Sequence, residues 1–515
     1  MQLTKWLKGL VPVTRKKASR VARKYAAAQI NRLQAGWITQ PQIIDNDIRG
    51  GLTTLRARSR EEAQNNGYFK GFLRDLKENV VGAQGFQLIS KPMDSDTIVD
   101  VEAKNSIERH WKLWGKKENR PEISGMSFQS FTRLVIQSAA QDGEVFIWER
   151  FFSKVNAYRY SVRVMEPGSV DVNLKKEMPN GNRVSMGVEY DAERFPVAYH
   201  VLADERDLDF FIHAETGRRY VRVPSSEVIH LFLHDGVWQT RGVPWIHPAL
   251  LRFNTLNKYE EAELVAARAG ASKMGFITDA DDGTGYTGDT DEEEADDDYL
   301  IEELEPGVIG RLKQGQEFTG FDPNHPNAIY PSFVKVNLRG IAAALGESYN
   351  QFAQDLEGVS FGSLRQGALS ERAVWMGLQQ WLIEEAWDRI FTNWLTSGLV
   401  ARAITNRNGR PLPFERLNKF LEHEWQPRRW EWIDPLKDTS ADSLQQKDLT
   451  MSRSERIRKR GRQPTEVFTE IAAENVLMDT LGIAGQAVDA KLGDESTDDR
   501  LLLIESQLND LTQEQ

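Results

Sequence analysis

Fourteen carboxylates and no base fall between residues 279 and 305, the densest set of potentially reactive groups in the chain. Aspartates held rigidly could bring two divalent cations about 4 Å apart and hydrolyse a phosphodiester, so a metal-dependent nuclease is one reading. Glycines 283, 285 and 288 within the run instead predict a mobile loop, and the EF-hand spacing with glycine at its sixth position is not met. Histidines 230 and 234 share one face of a strand-like segment, where a structural partner is favoured over a metal ion. A nucleotide-driven motor would need a GxxxxGK[ST] loop, and Gly115, Lys116 and Lys117 lack the preceding glycine spacing. No HExxH helix, GxSxG elbow or cysteine nucleophile occurs. No catalytic, metal or cofactor residue is assigned, and the chain reads as a non-enzyme.

Two basic stretches suggest contact with nucleic acid. Residues 1–44 hold nine Lys or Arg and no acid, and residues 453–464 (RSERIRKRGRQP) are nearly as basic. A surface-lying tail and a solvated helix face are the bland alternatives. The net charge of −11 argues against a protein that grips DNA along its whole surface. No apolar run reaches the roughly 18 residues of a membrane span; attachment to a membrane surface through the basic N-terminus is a weaker reading. The lack of cysteine excludes disulfides, and fourteen tryptophans point to core and interface packing.

These groups need elements to carry them. Apolar spacing predicts one helix over residues 56–80, a second through Ile107, Trp111 and Trp114, and a third after Ser127 that ends at Asp142 and Gly143. The period then changes to that of strands, at residues 144–152, 158–166, 183–190, 197–203 and 227–234. After Pro248 the helical period returns (ALLRFNTLNKYEEAELVAARAGAS), long enough to reach on the order of 40 Å. It returns again over residues 332–346 (SFVKVNLRGIAAALG), with the acidic insertion and short Gly-punctuated strands between. Gly358, Gly362 and Gly367 predict a helix interruption, followed by a tryptophan-rich helix over residues 369–400 and a helical region to about residue 481. Helices followed by a run of strands make the fold class α+β.

QTRGVPWIHPALLRFNTLNKYEEAELVAARAGASKMGFI at residues 239–277 resembles the signature of the lambda-type branch of tailed-phage portal proteins. LEPGVIGRLKQGQEFTGFDPNHPN, YPSFVKVNLRGIAAALGESYNQFAQDLEGVSFGSLRQGAL and WEWIDPLKDTSAD follow in the family's order, and VRVMEPGSVD and residues 65–85 resemble its N-terminal portion.

The resemblance implies an α+β portal fold of wing, long-helix stem, small β-containing clip and α-helical crown, in a ring with a central channel. Mapped onto this chain it implies a basic arm (1–44), wing (45–243), first stem helix (244–274), clip with acidic loop (275–331), second stem helix (332–347), tunnel-loop region (348–368), C-terminal wing (369–438), crown (439–485) and acidic tail (486–515). Lys335, Arg339, Arg365 and Gln366 are the candidate channel lining, and Gly358, Ser360, Phe361, Gly362 and Ser363 the tunnel loop. Arg365 matches an arginine of the family, although Gly362 and Leu364 stand where polar or small residues are more usual. For Lys335 and Arg339 the alternative is an intersubunit salt bridge to Glu260, Glu261 or Glu263. Arg311, Lys313, Glu317 and Phe321 are the candidate docking residues of the clip. The implied partners are further copies of the chain in a dodecamer, the large terminase subunit, major capsid protein and scaffold, head-completion proteins and double-stranded DNA, with no membrane and no cofactor. The implied location is the capsid vertex, with the host cytoplasm during assembly. A head-tail adaptor is the runner-up, against which the length of the chain speaks.

Overall fold

The computed structural model describes residues 43–95, 98–202, 220–271, 275–279, 316–320, 329–430, 435–460, 462 and 464–480. Its first helix, α1 (Ile44–Asn65), is followed directly by α2 (Gly67–Leu76). The single helix expected over residues 56–80 is therefore two, because Asn66 breaks it. The Asn66 side-chain oxygen accepts from the amides of Tyr68 (2.9 Å) and Phe69 (3.1 Å), which favours starting a new helix over continuing the old one. α2 ends in a π-helical turn, Lys77–Val81, that Gly82 closes at φ +72°.

A short strand β1 (Gln87–Ser90) leads into α3 (Val101–Trp114) and α4 (Phe128–Asp142). Asp100 caps α3 through the Ala103 amide, Ser127 caps α4 through the Ser130 amide, and Gly143 ends α4 in the left-handed conformation, as the sequence predicts. Then come β2 (Glu144–Phe151), β3 (Tyr160–Met165), β4 (Lys176–Glu177), β5 (Arg183–Ser185), β6 (Val188–Tyr190), β7 (Pro196–Leu202), β8 (Tyr220–Pro224) and β9 (Val228–Phe232). They form two antiparallel sheets, one of order β9-β2-β3 and one of order β8-β7-β6-β5-β4. The strand expected over residues 183–190 is a hairpin, since Met186 and Gly187 both take positive φ and reverse the chain.

Two long helices follow, α5 (Leu250–Ala271) and α6 (Tyr330–Leu345), with the antiparallel pair β10 (Gly275–Asp279) and β11 (Gln316–Gly320) between them in sequence. The 22 residues of α5 span about 33 Å. α7 (Phe361–Leu382), a π-helical turn at Ile383–Trp387 and α8 (Asp388–Val400) make one long helical run. β12 (His423–Gln426) pairs with β1, an association no local pattern announces. α9 (Pro435–Lys447), α10 (Arg453–Lys459) and α11 (Pro464–Thr480) complete the described chain.

The core sits where α2, α3, α4 and the α7–α8 run meet the β2 sheet. Trp111 packs edge-on to Trp394 at 5.0 Å and to Trp425 at 5.6 Å. The buried Trp114 indole donates to the Tyr160 carbonyl at 3.1 Å. These large rings bury much apolar area while fixing geometry. No helix among the described residues is long and apolar enough to cross a membrane.

Candidate functional site

Glu144, the first residue of β2, is completely buried, and every approach to it is occupied. Arg241 donates through Nε at 2.8 Å and also through Nη2; Arg56 donates through Nη2. His230 Nε2 lies 3.0 Å from the second carboxylate oxygen, and the Gly242 amide donates to it at 2.8 Å. Arg241 is itself fully buried and spends its remaining donors on the carbonyls of Val170, Met186 and Pro167. Burial alone would raise the Glu144 carboxyl; Arg241 and Arg56, with the His230 ring, hold it well below the usual carboxylate range. Burial lowers the His230 ring although Glu144 pulls it the other way, so it pairs as a neutral donor. This arrangement leaves no open coordination position and no room for substrate. It fastens α1, β2, β9 and the segment before α5 together, and the structural reading of His230 holds.

Glycine makes that closeness possible. A Cβ on Gly242 would sit 2.1 Å from the Gly143 carbonyl oxygen, and one on Gly143 would sit 2.2 Å from the Val243 carbonyl carbon. The DGE and TRGVPW segments thus pack backbone against backbone. Sequence reasoning missed the cluster, although an arginine flanked by glycine inside the most family-like block was its trace.

Lys335 and Arg339 lie one turn apart on α6 and both approach the Tyr349 ring, at 5.5 and 5.3 Å from its centroid. Lys335 is committed within its own chain. Its Nζ lies 2.9 Å from Asp355, which also accepts from the Tyr349 hydroxyl at 2.7 Å. Those two hydrogen bonds, with one from the Glu357 amide, bring the Asp355 carboxyl down to about 2. Within the chain its partner is Asp355, and the effect is to tie the segment after Tyr349 to α6. Arg339 is exposed.

The expected glycine-interrupted loop is shorter than the spacing suggested. Gly358 takes φ +67°, but Ser360 caps α7, accepting from the Ser363 amide at 3.2 Å, and the helix starts at Phe361. Gly362, Ser363, Arg365, Gln366 and Gly367 are therefore helical, because a good cap outweighs two glycines worth about 1 kcal/mol each. Arg365 is half-buried and Gln366 exposed on the second turn. Phe361 is exposed beside them. The structure thus brings Lys335 and Arg339 together.

α5 and α6 pack closely where Gly340 admits the Arg252 guanidinium, which would lie 1.6 Å from any Cβ there. Tyr259 meets Tyr330 at 5.8 Å and Phe333 at 4.8 Å. Their outer faces carry apolar side chains that no other described residue covers: Leu251 is 78% exposed, Leu264 70% and Val336 63%.

Glu347, just past the left-handed Gly346 that ends α6, was not anticipated. It is buried, and among the described residues neither carboxylate oxygen has a hydrogen-bond partner. Burial, with Asp75 and Glu371 nearby, raises its carboxyl to about 8.

Of the clip residues, Arg311, Lys313 and Phe321 fall outside the described residues, and Glu317 lies in β11 opposite Thr278. The acidic run after Asp279 is outside them too. Among the described residues no group of three or more His, Asp or Glu is placed to hold a metal ion.

A family model for the phage portal protein, lambda family, matches residues 31–379. The chain belongs to that family. A probable portal protein of Halomonas phage phiHAP-1 is 33% identical over 470 residues, 91% of this chain and 89% of the relative. Portal protein B of Escherichia phage lambda is 22% identical, over 85% and 86% of the two chains. A chain from the virion of a native gene transfer agent particle aligns at TM-score 0.42 and 12% identity, over 80% of this chain and 94% of its own. At that distance the likeness adds nothing to the assignment. This is a portal protein of α+β fold, a component of tailed-phage particles.

Proposed function

We propose that this portal protein assembles as a dodecameric ring at one capsid vertex, carries double-stranded DNA through its centre during packaging and ejection, and performs no catalysis. The α5–α6 pair carries the reading. Its side chains at Leu251, Leu264 and Val336 are apolar and exposed, as a face covered by a neighbouring copy would be. Family membership supplies the setting, with assembly in the host cytoplasm among capsid protein and scaffold.

In this reading Arg339, Arg365 and Gln366 face the bore, and the segment from Gly358 to Ser363 lies beside the DNA. Lys335 acts indirectly, by holding that segment through Asp355. Each phosphate neutralised strengthens binding through counterion release, so a bore with few cations lets DNA slide, in keeping with the net charge of −11. The large terminase subunit supplies the work and docks on residues 275–331, at Arg311, Lys313, Glu317 and Phe321; head-completion proteins use the same end later.

The test is Arg339→Ala in an in vitro packaging system. Rings of normal mass with reduced DNA packaging or retention are expected; unchanged packaging and retention would remove Arg339 from the channel.

A further inference from the structure

A cleft of about 380 Å³ opens between the β1–β12 pair and the helices α10 and α11. Five cations border it, Lys91, Lys104, Arg429, Arg458 and Arg462, against two carboxylates, Glu424 in the lining paired with Lys91 and Glu470 behind it paired with Arg462. That balance is the reverse of the acidic chain as a whole. Its floor is apolar, with Met93, Val99, Trp425 and Phe468. One polar atom waits there: the Ser90 side chain is 1% exposed, lines the cleft, and its hydroxyl has no hydrogen-bond partner among the described residues. A buried hydroxyl left unpaired costs about 1–3 kcal/mol, which an occupant with a carboxylate or carbonyl would recover. The cleft therefore asks for a ligand that is anionic, partly apolar and able to accept a hydrogen bond. Its size admits a few side chains, not a duplex.

We propose that the occupant is this chain's own C-terminal segment, residues 494–511 (DESTDDRLLLIESQLNDL), from the same subunit or from its neighbour in the ring. The segment holds six acids and one base. Leu501, Ile504, Leu508 and Leu511 recur at the three- to four-residue spacing that puts them on one helix face. The chain can reach. Thr480 ends α11, whose first turn borders the cleft, so the return distance is about 25 Å, while the twenty residues before Leu501 extend to roughly 65 Å. Docking would cover Phe468 and Val99, now exposed, and set acids against the cations that would otherwise draw DNA phosphates to the base of α11.

The experiment places a benzoylphenylalanine photocrosslinker at Phe468 of the full chain and maps the products by mass spectrometry. Adducts to residues 494–511 are expected, as an internal crosslink or as a covalent dimer. R429E/R458E should lower their yield on the order of tenfold, and Asp498→Lys with Asp499→Lys in that background should restore most of it. Recovery by the compensating charges separates lost docking from lost folding. Adducts to nucleic acid or to the wing alone, or a yield that charge reversal leaves unchanged, would overturn the proposal.

Discussion

Two buried glutamates divide the molecule. Glu144 is enclosed by Arg56, Arg241, His230 and the Gly242 amide, and its carboxyl lies well below the ordinary range. Glu347 is buried near two other acids, Asp75 and Glu371, its oxygens unpaired among the described residues and its carboxyl raised to about 8. The difference teaches which part of the chain is finished by its own contacts. The sheet region is locked by charges that are desolvated and fully satisfied together, an arrangement that fixes geometry even where it adds little net stability. The junction after α6 carries an acid that no other described residue pairs with and, next to it, the uncovered apolar faces of α5 and α6.

The contrast can be broken most forcefully at Arg241. Replacing it by Ala leaves Glu144 buried opposite fewer charges and should cost about 4 kcal/mol, read as a collapse of the melting transition or loss of soluble protein. A melting temperature near the parent's would mean the cluster is not the lock described. Gly242→Ala attacks the same point without touching a charge; forcing a Cβ against the Gly143 oxygen should cost about 3 kcal/mol through backbone displacement.

Glu347→Gln should act in the opposite direction. A carboxyl whose folded pKa is raised costs nothing below its unfolded value of about 4.3, where both states are protonated. The cost grows as pH rises and is complete above about 8. The glutamine variant should therefore melt like the parent at pH 4 and be more stable by about 4–5 kcal/mol at pH 8. Equal melting curves at pH 8 would place Glu347 among partners it lacks here. The smallest effect is expected at Lys335→Ala. Both partners are partly open to solvent, so the melting temperature should hardly move, but limited proteolysis between residues 353 and 360 should quicken.

Much of this was legible from local signals. Ser127 and Gly143 mark both ends of α4, and Gly346 stops α6, because caps are written in one or two residues. Asn66 was as plain a signal, yet the apolar period on both sides of it suggested one helix. The glycines at 362 and 367 misled, since glycine weakens a helix without ending it when Ser360 caps the start and long-range packing holds the rest. What no local pattern carried was pairing at a distance: β1 with β12, Arg241 with Glu144, Lys335 with Asp355. The candidate channel residues Lys335 and Arg339 were legible only as cations at helical spacing, and the order of family blocks gave them and Arg365 and Gln366 their meaning.

The most direct test of the account is the mass and symmetry of the purified protein, by light scattering together with negative-stain imaging. Twelve chains of 58.7 kDa weigh about 704 kDa, and an annulus of that mass with a central hole is expected. A species that stays monomeric or dimeric across salt and Mg²⁺ concentrations, with or without scaffold, would contradict the ring and leave the apolar faces of α5 and α6 without their occupant.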